Sequence, residues 1–138
     1  MSCFLRLSGD ALPLEAILQA LPVAPERIET PLSKARDRIS LRKPRPSDTR
    51  TSVHVCVHDG DFDPLAEQVA SATRFMIAHH SVLLAIMSMK GIEYASLDFG
   101  LLVGDVPMFS DRLPPTLLSI AGELGLSINL SHYFSSDK

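Results

Sequence analysis

The sequence predicts an α+β fold, a two-layer sandwich with the helices on one face of a mostly antiparallel sheet. Two observations lead to this prediction. Four segments, residues 3–8, 52–58, 94–103 and 126–134, alternate apolar and polar side chains, as strands with one buried face do. The segments between them carry apolar residues at helical spacing instead. Strands with one polar side need helices on the other side only.

The first strand and helix are short. The strand, residues 3–8, ends at a Gly-Asp pair. Apolar residues from Leu14 to Leu21 then recur at helical spacing, and Pro22 ends that helix. Residues 22–37 are predicted to be a connection.

The second and third strands are predicted to form an antiparallel hairpin. Weak alternation marks a strand over residues 38–43, turn-forming residues fill 44–48, and the strand 52–58 follows. Basic residues are concentrated in residues 34–50. This segment is predicted to be a solvated hairpin with a polar loop or, alternatively, a docking surface for an acidic partner.

A long helical region is predicted after the third strand. Asp63 is expected to cap its N-terminus, with Pro64 at the first helical position. The pair His79-His80 separates two apolar runs and is predicted to mark a bend.

A last helix, which Pro114 begins and Gly125 ends, precedes the strand at residues 126–134. The resulting order is β-α-β-β-α-β-α-β, and its first six elements match the ferredoxin-like order. The final helix and strand are expected to be added at one edge of the sheet or beside the first strand. We expect a single α+β domain over residues 1–138.

Composition narrows the classes of function. A net charge of −3 over 138 residues argues against a general nucleic-acid binder, which needs a basic surface. The longest apolar stretch, residues 76–89, contains two histidines and a serine and is predicted not to span a membrane. Two cysteines do not make a secreted disulfide framework, and the N-terminus does not have the pattern of a signal peptide. We therefore expect a cytoplasmic protein.

The polar positions of the strands predict an open sheet face. They are Ser, Asn, His and Tyr more than Lys and Glu, a composition suited to recognition. This face is predicted to bind a protein partner or a second copy of the chain, as in a homodimer. The predicted partner-binding residues are Arg6, His54, His58, Tyr94, Ser96, Asp98, Asn129, Ser131 and Tyr133.

His54, Cys56 and His58 alternate along one strand and are the candidates for a metal site. Imidazole and thiolate are ligands that zinc and copper favour. Residues two apart on a strand are about 6–7 Å apart at Cα, so a further ligand must come from elsewhere. The preferred interpretation is a row of half-exposed histidines with Cys56 as a small semi-buried side chain. No metal, cofactor or catalytic residue is predicted.

Both ends of the chain resemble a known family. The segment FLRLSGD at residues 4–10 and the segments LPPTLL at 113–118 and GELGLSI at 122–128, with His132-Tyr133, are similar to small bacterial proteins known only as a domain of unknown function. Some of those relatives are thought to be immunity proteins that neutralise a toxin from a neighbouring gene. The resemblance therefore implies binding rather than catalysis, and it implies no catalytic residue.

Three functional hypotheses follow. The first is a non-enzymatic protein-binding domain, in its most specific form of the immunity type, that uses the open face of the sheet. The alternative is a small-ligand or metal-binding regulatory domain of ferredoxin-like type. The third is an enzyme that uses Cys56 or a histidine.

Overall fold

The alternating segments form one five-stranded sheet in the computed structural model, which describes residues 3–31, 50–104 and 111–134. With four helices, the described residues have an α+β fold. The elements in chain order are β1 (Cys3–Gly9), α1 (Leu14–Ala20), β2 (Arg27–Glu29), β3 (Thr51–His58), α2 (Leu65–Ala78), α3 (His80–Met87), β4 (Tyr94–Val103), α4 (Pro115–Leu124) and β5 (Ser127–Phe134).

β1 lies at the centre of the sheet, whose strand order is β2-β3-β1-β4-β5. The pairs β2–β3, β3–β1 and β1–β4 are antiparallel, and the pair β4–β5 is parallel, so the sheet is mixed. Leu5 lies opposite Val55 on one side and Leu97 on the other. The last strand is thus added at an edge of the sheet, next to β4, which is the first of the two placements expected from the sequence.

One face of the sheet joins the helices in a single buried cluster. Cys3, Leu5 and Leu7 contribute from β1, and their neighbours on β3 and β4 continue the same face. Every described helix adds side chains to this cluster, among them Ile17, Met76, Ile86, Leu117 and Leu124. The apolar side of the alternation is therefore the side that the helices cover.

The predicted bend at His79-His80 is confirmed. α2 ends at Ala78, α3 begins at His80, and their axes meet at 82°. The ring of His79 packs edge-on against Phe75, with the ring centroids 4.8 Å apart.

Among the described residues, no single helix is long and apolar enough to cross a membrane. Only α2 and α3 taken together meet that requirement of length and composition, and they are bent at the break between them.

The connection predicted after the first helix differs from the structure. The expected connection over residues 22–37 contains β2, whose three residues pair with β3. Three residues are too few to show an alternating pattern, so the sequence did not mark this strand. The predicted strand at 38–43 and its turn at 44–48 lie outside the described residues.

Asp63 does not cap α2 as predicted. The N-cap position is Pro64, and no side chain bonds the free amides of the first turn. The Asp63 carboxylate instead accepts a hydrogen bond from the imidazole of His58. The prediction for α4 is confirmed at its C-terminus, where Gly125 adopts the left-handed conformation with φ 72°.

The end of β3 contains an irregularity that overturns one predicted position. Phe4 pairs with Cys56, but Cys3 pairs with His58, so Val57 is an extra residue in the register. Such a bulge shifts the alternation by one residue. Val57 packs against the core, and His58, predicted on the open face, lies on the helix side instead.

Gln68 is a fully buried polar residue that ties α2 to the sheet. Its side-chain amide donates to the carbonyl oxygens of Asp63 at 2.7 Å and of Gly100 at 2.8 Å. Buried carbonyl groups need such donors, because leaving one unpaired costs about 1–3 kcal/mol. Gln68 therefore fixes the start of α2 above β4.

We expect Gln68→Met to lower the free energy of unfolding by about 2 kcal/mol, since methionine fills a similar volume but donates no hydrogen bond. Urea unfolding followed by circular dichroism measures this loss. Glu67→Gln, at an exposed neighbouring position, is the control and should change the value by less than about 0.5 kcal/mol. Equal effects of the two substitutions would contradict the assigned role of Gln68.

Candidate functional site

The register of the sheet places the polar side chains in rows across one face, which we call the open face. One row holds Arg27, His54, Arg6, Ser96 and Ser127, in the order of the strands. The flanking rows hold Glu29, Ser52, Ser8 and Tyr94 on one side and Cys56, Phe4, Asp98 and Asn129 on the other. The open face thus unites residues from all five strands.

Arg6 occupies the middle of the central row. Its side chain is exposed, and within the described part of the chain it makes no hydrogen bond or ion pair. It lines a groove of about 380 Å³ on the open face. The other lining residues are Ser8, Arg50, Glu93, Tyr94, Ala95, Ser96, Gly125, Ser127 and Asn129.

A cation–π pair holds one side of this groove. The guanidinium carbon of Arg50 lies 4.4 Å from the centre of the Tyr94 ring, and one of its nitrogens is 3.4 Å from the Tyr94 hydroxyl. Such stacking orients both side chains. On the same wall, the Glu93 carboxylate accepts a hydrogen bond from the backbone amide of Asp10 at 2.7 Å.

The far side of the open face is built on β4 and β5. Ser131 donates a hydrogen bond of 2.6 Å to the Asp98 carboxylate, which lies opposite Asn129 in the register. Beyond them Tyr133 is half-exposed and contacts Phe62 edge-on, with ring centroids 5.5 Å apart. Polar groups and aromatic surface therefore alternate along this side.

The structure brings together most of the residues that the sequence assigns to the face. Arg6, Tyr94, Ser96 and Asn129 line the groove, while His54, Asp98, Ser131 and Tyr133 lie on the same face outside it. His58 is the exception, because of the bulge. The alternation did not assign Arg50 or Glu93 to the open face, since both lie just outside a strand. Arg50 does belong to the basic segment 34–50, for which the sequence offers a docking surface as the alternative interpretation.

The three candidate metal ligands of β3 do not converge. His54 and Cys56 lie in different rows of the open face, and His58 is on the opposite face. The ring of His54 instead meets Phe4 edge-on, with centroids 6.4 Å apart. His54 and Cys56 are both partly buried.

Both cysteines are free thiols. Cys3 and Cys56 lie on neighbouring strands but on opposite faces of the sheet. Burial, with the charge of Asp98 and the nearby Cys56, raises the pKa of the Cys3 thiol to about 12. Burial and the charges of Asp59 and Glu26 also raise the pKa of Cys56. A raised pKa disfavours the thiolate that a nucleophile needs.

On the helix side, His58 is the centre of a second polar cluster. Its Nε2 lies 2.7 Å from Oδ2 of Asp63, and its Nδ1 lies 2.7 Å from Oγ of Ser71. A carboxylate only accepts, so in the neutral ring Nε2 carries the proton and Nδ1 accepts from the serine. Arg74 also donates to Ser71 Oγ, at 3.3 Å. Glu67 lies close to Asp63 and His58.

This cluster has the residue types of a serine–histidine–aspartate series, yet its geometry differs from one. The serine bonds Nδ1 and the aspartate bonds Nε2, the reverse of the usual arrangement. Ser71 lies in the middle of α2, where its hydroxyl is held by two partners. We therefore assign it no nucleophilic role.

Comparisons with known proteins find no matching family model, no significantly similar curated protein and no significantly similar solved structure. They add no support to the resemblance to small bacterial proteins.

The pKa of Cys3 predicts how stability depends on pH. In the folded protein the pKa of about 12 lies above the ordinary thiol value of 9.0, so the unfolded chain loses this proton first as pH rises. The thiol therefore costs no stability below pH 9, and stability falls as pH rises from 9 towards 12. Between pH 8 and 10.5 we expect wild type to lose up to about 2 kcal/mol more than Cys3→Ala.

Urea unfolding at the two pH values measures this difference. Cys56→Ala is the control for titration of a thiol in general, and it should keep most of the wild-type slope because Cys3 remains. Parallel pH profiles for wild type and Cys3→Ala would show that Cys3 titrates normally in the folded protein.

Proposed function

We propose that this protein is a non-enzymatic binding domain whose open face recognises an acidic surface of a partner protein. The observation that carries the proposal is Arg6, an exposed cation at the centre of the sheet without an ion pair in the described ranges. A guanidinium in this position offers two parallel N–H donors to a carboxylate.

The surroundings of Arg6 support recognition of a protein side chain. Ser96, Ser127 and Asn129 line the same groove with neutral donors and acceptors. Tyr94 supplies rigid contact area, because Arg50 stacks on its ring. Interfaces are enriched in such tyrosine and arginine anchors.

Charge complementarity favours an acidic partner. Arg6 lines the groove without an ion pair in the described part of the chain, and the Glu93 carboxylate in the same groove already accepts a backbone hydrogen bond. The whole chain carries a net charge of −3, so the cation of Arg6 is opposite in sign to the protein as a whole. Complementary charge of this kind selects partners and speeds their encounter.

We also propose that the fold is a two-layer sandwich with a ferredoxin-like core, to which α4 and β5 are added at one edge. The order β2-β3-β1-β4, with every neighbour antiparallel, supports this description, as does the single core shared by sheet and helices.

In its most specific form, the proposed domain is an immunity protein, as the sequence resemblance suggests. Its partner is then a toxin encoded by a neighbouring gene. Calorimetric titration with that purified toxin tests this form of the proposal. We place the protein in the cytoplasm, where its two free thiols stay reduced.

A small anionic ligand is the second candidate. The groove of about 380 Å³ is within the usual range of ~300–1,000 Å³ for ligand pockets, and Arg6 would bind a carboxylate or phosphate in the same way. Such a ligand would make the protein a regulatory domain.

Random-peptide display on the immobilised protein tests the leading proposal. We expect wild type to enrich peptides rich in Asp and Glu, and Arg6→Glu to lose that enrichment through charge reversal. For the best acidic peptide, calorimetry should show at least a tenfold weaker affinity for Arg6→Glu, since a charge-assisted pair contributes about 1.5–3 kcal/mol.

Arg112→Glu is the matched control, because Arg112 is exposed but lies on a groove beside α2 and α4. It should bind the acidic peptides as wild type does. Equal loss in both variants, or no acidic enrichment at all, would refute the proposal. Light scattering, which measures the oligomeric state, distinguishes one further outcome. If wild type is a dimer that Arg6→Glu dissociates, the open face binds a second copy of the chain instead of an acidic partner protein.

A further inference from the structure

We infer that the His58 cluster on the helix side is a binding site for a divalent transition-metal ion such as Zn²⁺, with His58, Asp63 and Glu67 as ligands. Each of these residues offers one ligand atom, and the three atoms lie within 4.8 Å of one another. The site is on the opposite side of the sheet from the open face and is independent of partner binding.

The distances suit a metal after a small adjustment. Zinc bonds to nitrogen and oxygen are about 2.0–2.2 Å long, which puts tetrahedral ligands roughly 3.4 Å apart. The Nε2–Oδ2 distance of 2.7 Å must therefore open slightly, while Glu67 must approach. The Glu67 side chain is exposed and makes no hydrogen bond or ion pair in the described part of the chain, so it is available to move.

The donor set selects the class of ion. One neutral imidazole and two carboxylates carry a charge of −2, which matches a divalent cation. An imidazole ligand favours zinc and its neighbours over calcium or magnesium, which prefer oxygen ligands alone. Three protein ligands leave at least one position for water.

The ring of His58 is already oriented for this role. Its Nδ1 is hydrogen-bonded to Ser71 Oγ, and this contact leaves Nε2 pointing to the Asp63 carboxylate. When Nε2 binds a metal, the single proton of the neutral ring lies on Nδ1, which donates a hydrogen bond to Ser71 Oγ. Metal-bound histidines commonly donate their other ring N–H in this manner, which fixes the ring and raises its basicity.

Asp63 is held in place from two directions. Its carbonyl accepts a hydrogen bond from buried Gln68, which anchors the residue to α2. Its carboxylate lies so close to Gly60 that a Cβ at position 60 would overlap it. The bulge at Val57 completes the arrangement, because it turns His58 towards these groups.

Calorimetric titration of the tag-free protein with ZnCl₂ at pH 7 tests the inference. We expect one ion per chain, and a binding constant at least tenfold weaker for Glu67→Gln, which removes a ligand from an exposed position without a structural contact. Glu15→Gln is the matched control, since Glu15 is also exposed in the first turn of a helix. It should bind zinc as wild type does.

The tautomer of His58 gives a second readout. Proton–nitrogen correlation spectra should show the ring proton on Nε2 without metal and on Nδ1 with zinc. The Ser71→Ala variant should still bind zinc, about tenfold more weakly, because only the orienting contact is lost.

Three results would overturn the inference. The first is an absence of zinc binding, and the second is zinc binding that Glu67→Gln leaves unchanged, which would place the ion at other histidines such as His79-His80. The third is a His58 tautomer that zinc does not alter.

Discussion

The pairing of β1 on both of its edges is the constraint on which the rest of the structure depends. Leu5 and Leu7 point to the helices while Phe4 and Arg6 point away, and the antiparallel registers with β3 and β4 carry this division across the sheet. Because side chains alternate with a period of two, one register decides which side chains face the helices and which face the other way. The core and the open face therefore have the same origin.

The bulge at Val57 is where that division changes. If the alternation continued, His58 would join His54 and Cys56 on the open face. The extra residue moves it to the helix layer, where it meets Asp63 and Ser71. This local irregularity thus separates His58 from the arginine groove on the open face and adds it to a histidine–carboxylate cluster on the other side of the sheet.

The features that the sequence predicted well are those set by long local patterns. β4 has the predicted bounds because ten alternating residues specify a register, and α4 ends at the predicted glycine. β2 is too short to give a pattern, and the position of His58 depends on its pairing with Cys3, a contact distant in sequence. The groove is likewise a product of tertiary structure, because Arg50 reaches Tyr94 only after β3 and β4 are placed around β1.

The position of the His58 ring tests the separation of the two sites most directly. Nuclear Overhauser contacts measured on the folded protein would locate that ring relative to its neighbours. The account predicts contacts from the His58 ring protons to the β-protons of Ser71, and none to the ring of Phe4 on the open face. Contacts to Phe4 without contacts to Ser71 would contradict the bulge and with it the division of the molecule into two sites.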